Sequence, residues 1–134
     1  MTYYFSKILP VSFEEAIVDV IAALQQEGMG VLTQIDVQGA FQEKLGVDFR
    51  RYTILGACQP RLAYQMLELD DHAGALLPCN VVVQEQENGQ IEVFAVDPQA
   101  MVAAVTNPGA AAIAGQAREV LQRVMARLPE AIQV

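Results

Sequence analysis

The chain has 134 residues, 53% of them hydrophobic, and its 8 basic and 16 acidic side chains leave a net charge of −8. A domain of this size buries roughly 68% of its unfolded surface, so a core forms without disulfide or metal staples. The acidity excludes a general nucleic-acid binder, which needs a basic face to displace counterions, and disfavours an anionic membrane surface.

The opening "MTYYFSKILP" has one lysine, no apolar h-region and a proline at position 10, so it does not read as a secretory signal. Residues 2–9 are predicted as a strand, rich in aromatics and ended by Pro10. A helix follows in "SFEEAIVDVIAALQQEG". Ser12 and Glu15 have capping-box spacing, in which each side chain serves a free backbone N–H of the first turn. Phe13, Ala16, Ile17, Val20 and Leu24 repeat at helical spacing, and Gly28 is a natural stop. Residues 30–37 are predicted as a second strand, and Asp36 is placed to cap a short helix ending at Gly46.

"RRYTILGAC" (50–58) alternates into a third strand. Pro60 then opens a helix with Leu62, Met66 and Leu69 on its apolar face, since proline in first position loses no needed hydrogen bond. "GALLPCNVVVQEQENGQIEVFAV" reads as a hairpin turning at Asn88-Gly89. An Ala-rich helical region runs from about Pro98 to Leu128, broken near "TNPG", with Ile113, Ala117, Val120, Leu121, Val124 and Leu128 buried and Arg118, Gln122 and Arg127 outward. Its apolar stretch falls short of the roughly 20 residues that a membrane span needs. The expectation is one cytoplasmic domain with reduced cysteines.

Successive antiparallel strands with helices between them predict an α+β fold, one sheet face covered by helices. In the hairpin, Val81 and Val83 take one parity and Val82 the other. An apolar run on both faces is more than a half-solvated strand needs. Either a second subunit covers that face or the strand is interior, and a homodimer is the expectation.

The segments "KLGVDFRRYTILGAC" and "LLPCNVVV" carry a resemblance, running over about residues 12–98, to the family called domain of unknown function 302. That resemblance implies a TATA-binding-protein-like fold class, a curved antiparallel sheet with helices on one face, found as homodimers. It implies no DNA binding, because a fold does not carry a function. The family motif usually reads Gly-Ala-Cys-Asn-Pro, whereas this chain has Gln59 in place of the Asn, so helix capping or ligand holding by that side chain is expected to be poorer. Asp36, Lys44, Cys58, Pro60, Pro78, Cys79 and Asn80 stand as the motif has them, and no activity comes with the resemblance.

The candidate ligand or redox site is Cys58, Cys79, Asn80 and Asp36. Cys58 ends a strand and Cys79 begins one, and strand neighbours could bring their Cα atoms near the ~5.5 Å of a disulfide. A thiol just before a helix N-terminus has its pKa lowered. Three readings stay open: a ligand-binding or accessory module with a pocket at the cysteines, a thiol-dependent redox or sulfur-transfer protein, and a structural dimer whose cysteines only pack. Asn80 bonds nearby backbone or points into a pocket beside Cys79, and Asp36 and Asp97 read as caps. Structural zinc is unsupported, since it takes four ligands and His72 is the one histidine. His72 is expected to face solvent at a helix C-terminus, and the methionines to pack in the core. Gly28, Gly30 and Gly39 make no nucleotide fingerprint, and no cofactor is identified.

Overall fold

The computed structural model describes residues 2–130. Five strands, β1 (Tyr4–Leu9), β2 (Gly30–Asp36), β3 (Tyr52–Cys58), β4 (Cys79–Glu85) and β5 (Ile91–Val96), alternate with helices α1 (Phe13–Gln26), α2 (Val37–Leu45), α3 (Pro60–Leu69), α4 (Pro98–Met101) and α5 (Pro108–Arg127), and a 3₁₀ turn spans Asp71–Leu76. The sheet runs β1-β5-β4-β3-β2 with every pair antiparallel, so the fold is α+β with helices on one side, as expected.

Registers sort the side chains by face. Leu55 opposite Val81, Val83 opposite Val93 and Val81 opposite Ala95 share the helix-covered face and are buried there with Val20 and Leu24 of α1 and Leu121 and Val124 of α5. A second cluster lies beside this core, where Met66 of α3, Ala73, Val102 and Ala110 and Ala114 of α5 are buried together. Two clamps hold α5 in place. Glu27 accepts from Arg123 and Arg127 at 2.7 Å each, tying the end of α1 to α5. Lys7 Nζ donates to the carbonyls of Met125 (3.1 Å) and Leu128 (2.8 Å), a cation where the helix dipole favours one.

The helix ends follow local chemistry, with three departures. Ser12 Oγ accepts from the Glu15 N–H at 3.1 Å, but the Glu15 carboxylate accepts from the Ser12 hydroxyl, so the capping box is half formed. Gln59 caps α3 well, its Oε1 accepting from the Leu62 N–H at 2.8 Å. The extra methylene is absorbed, and the poorer capping expected of a glutamine is not what the chain does. The C-terminal helical region breaks at "TNPG" as expected, but the break opens before it: α4 is capped by Asp97 and ends at Met101, and α5 begins at Pro108 behind its Asn107 cap.

The hairpin turns where expected, as a three-residue loop. Gln86 N–H donates to Gln90 O and Gly89 N–H to Gln86 O. Gly89 carries the positive φ of 85° and Asn88 does not, the three-residue geometry of a type I turn followed by a left-handed glycine.

Among the described residues the helices with buried side chains pack on the core face, while α2, which buries none, approaches the other sheet face through Phe41 on Phe49. Val82 lies on it yet is 5% exposed, because β4 is the central strand and Phe94 and Ile54 flank it. The interior-strand explanation therefore accounts for the apolar run of β4. Ring contacts cross this face: Tyr3 on Tyr4, Tyr4 on Phe94, Phe94 on Tyr52, Tyr52 on Phe49 and Phe49 on Phe41, at 5.1–6.3 Å between centroids. Ile8 and Ile35 lie exposed toward opposite edges of it, and Leu32 projects from the β2 bulge. Helix α2 contributes no buried side chain.

Candidate functional site

The "ILGACQP" stretch sits at a seam. Ala57 pairs with Cys79 across β3 and β4, and Gln59 then caps α3, so the chain turns from the sheet into a helix that returns over the same strand ends. Between the main core and the second cluster the packing leaves a hollow. The sheet supplies Ala57, Cys58 and Cys79, α3 supplies Leu62 and Met66, α4 supplies Met101, and α5 supplies Ile113 and Ala114. Its free interior is about 50 Å³, and with the open mouth the depression amounts to about 560 Å³. Among the described residues no histidine, carboxylate or basic side chain lines it. The amide of Gln59 does, with its oxygen committed to the helix cap.

Both thiols are free, Cys79 buried and Cys58 half-buried. The register sets the cysteines one residue apart, Cys58 opposite Gly30 and Cys79 opposite Ala57. Burial pushes the Cys79 thiol up to about 11, with the charge of Cys58 adding to the rise. Burial also raises Cys58, the reverse of the activation expected beside a helix N-terminus. At neutral pH both are thiols, and the thiolate that redox or sulfur-transfer chemistry attacks with is scarce.

The other two candidates are elsewhere. Asn80 pairs with Gly56, takes the parity of Val82 on the uncovered face and is exposed. Asp36 is at the far end of β2, where its carboxylate accepts from the Gly39 N–H at 3.0 Å, the capping role its position predicted. His72 is 93% exposed, with its Nδ1 3.3 Å from Asp70 and 3.0 Å from Asp71. It is the second residue of the 3₁₀ turn, one turn beyond the end of α3. Those three residues form the sole metal-like cluster of His, Cys, Asp or Glu among the described residues, all on the surface or near it and away from the hollow.

Sequence reasoning singled out the two cysteines at strand ends. It read the methionines as core packing, which the burial of Met29 and Met66 bears out, without setting any of them beside the cysteines. Met29, Met66 and Met101 also line the hollow. No local signal marks them, because helical spacing of Met66 and Met101 describes a core position equally well.

A comparison with curated proteins finds no match. Among solved structures, an uncharacterised conserved DUF302 protein from Bacillus stearothermophilus aligns at 31% identity and a TM-score of 0.88, over 96% of this chain and 99% of that one. Residues 5–128 match the family described as domain of unknown function DUF302. With the match spanning nearly the whole chain and the same architecture in a relative, this protein belongs to the DUF302 family.

Proposed function

We propose that the protein is a small homodimeric binding module, reduced and cytoplasmic, whose ligand occupies the cysteine-lined hollow. The observation that carries this reading is the hollow itself. Interiors pack to crystal-like density with few voids, yet here an apolar depression opens at the seam of two clusters. Ligand sites share that character, concave and mostly apolar with few polar groups. The free volume suits something small and weakly hydrated. Both thiols being protonated favours binding over thiol catalysis.

The test is n-hexanol titration followed by amide NMR. Shifts confined to Ala57, Cys58, Leu62, Ala73 and Cys79 are expected, and Ala114→Leu, which fills the hollow from α5, should remove them. Shifts spread evenly over the surface, or none, would overturn the reading.

The dimer rests on the uncovered sheet face. Its row of rings and its exposed Ile8 and Ile35 form an apolar surface. Helix α2 is nine residues long without a buried side chain, shorter than an isolated helix needs for stability in water, and a partner covering it would supply the missing packing. Rings on a sheet also stack bases, but in a positively charged groove, and a net charge of −8 favours a second copy of the chain. Light scattering at micromolar concentration should give the mass of a dimer. Ile8→Glu with Ile35→Glu should give a folded monomer with little change in unfolding midpoint, since both side chains are exposed in the single chain. A monomeric parent protein would end this part of the proposal.

A further inference from the structure

Five sulfur-bearing residues line the hollow: Cys58, Cys79, Met29, Met66 and Met101. The whole sequence has two cysteines and five methionines, so five of its seven sulfur-bearing residues line one small space. These residues arrive from separate places, the end of β3, the start of β4, the loop after α1, α3 and α4. Ala57, the residue before Cys58, pairs with Cys79 across β3 and β4, so the two cysteines stand on neighbouring strand ends.

We infer that the hollow takes a soft, closed-shell monovalent metal ion of the Cu(I) class, held by thiolate and thioether sulfur. The inference rests on the binding-module reading and names its ligand. Soft thiolate and thioether donors select Cu(I) over the hard cations, which want oxygen, and the walls offer no carboxylate or histidine. Charge decides between monovalent and divalent ions. A buried charge is costly unless it is neutralised. One cysteine thiolate neutralises a monovalent ion, and thioethers then add donors without adding charge. Zinc would need four ligands of the nitrogen, thiolate or carboxylate type, and two cysteines cannot provide them. The volume agrees, since the enclosed part, about 50 Å³, is far smaller than the 300–1,000 Å³ of a typical ligand pocket and has room for an ion.

Binding involves no electron transfer. The S–H bond of one cysteine breaks, an S–Cu bond forms, and the proton leaves to solvent. The methionine sulfurs donate lone pairs with no proton to lose.

The experiment is anaerobic competition between the reduced protein and Cu(I) bicinchoninate, with X-ray absorption on the product. The expected result is uptake of one equivalent into a shell of sulfur alone. Cys58→Ser with Cys79→Ser should abolish uptake. Met29→Leu, Met66→Leu and Met101→Leu together, a nearly volume-conserving change, should weaken Cu(I) binding at least tenfold while the n-hexanol shifts persist. A chelate left intact by the parent protein, nitrogen or oxygen in the metal shell, or triple-leucine binding equal to the parent's would each overturn the inference. If n-hexanol shifts the pocket amides and Cu(I) is not taken, the metal falls alone. If neither binds, the module reading falls with it.

Discussion

Replacing Leu121 by alanine should lower the unfolding free energy by roughly 2–5 kcal/mol, the range for truncating a fully buried leucine. Leu121 is 0% exposed and lies on the stripe of α5 that is buried with Val81 and Val83 of β4 and Val93 of β5. Its loss removes apolar surface and leaves a cavity, since Val20 and Leu24 of α1 are themselves fully enclosed and held by their own helix. Against a typical total of 5–15 kcal/mol, that is a large fraction. The neighbouring Gln122 is exposed, and Gln122→Ala should stay within about 0.5 kcal/mol of the parent. Urea unfolding of the pair checks both. A Leu121→Ala cost below about 1 kcal/mol would mean that α5 does not seal the core as described.

Gly56→Ala should cost about 1–3 kcal/mol, the usual range for overpacking, although alanine is the smallest possible addition. Gly56 lies in β3 between Thr33 of β2 and the Pro78 ring. A methyl there would collide with Thr33 Oγ1 and sit 2.7 Å from Pro78 Cγ. The hydroxyl can rotate away, but the proline ring is rigid and must move with its backbone. Pro78 precedes Cys79, and both line the hollow, so the substitution should shift the Cys79 amide as well as the midpoint. Gly74 is the contrast. A methyl there meets only Leu67 Cδ2 at 3.8 Å, so Gly74→Ala should be neutral or stabilising by up to about 1 kcal/mol through lost chain entropy. Equal effects at the two glycines would show that the close approach at Gly56 does not matter.

Residues 60–69 show how much can be read locally. Proline in first position and apolar residues at helical spacing put α3 at Pro60–Leu69, where the structure has it. The caps at Asp36, Asp97 and Ser12 are equally local, since each involves a side chain and an N–H two or three residues away. The errors are small and have local causes. Glu15 has two hydroxyl and amide partners to choose between, and glutamine reaches a cap N–H that asparagine would reach with a shorter arm. The 3₁₀ turn over Asp71–Leu76 gives no periodic signal, being too short to show one. The early end of α4 was hidden by alanines, which favour a helix without requiring it.

The candidate site was legible only in part. Cys58 and Cys79 stand at the ends of β3 and β4, and the α3 and 3₁₀ connection between them brings the chain back to the neighbouring strand at the same end of the sheet. Asn80 follows Cys79 directly in sequence, and strand alternation therefore sends it to the opposite face.

Composition, hydrophobic period and capping chemistry act over a few residues, and they determined the elements and the α+β class and marked the two cysteines as strand-end residues. Strand order is a different kind of property. That β1 pairs with β5, or that Val82 is covered by Phe94, depends on loop closures across most of the chain, which no local window contains. That Met29, Met66 and Met101 line the same hollow as the two cysteines is of that second kind, because separate parts of the chain must dock before they share one wall. Packing decided it, and with it the chemistry that the hollow can hold.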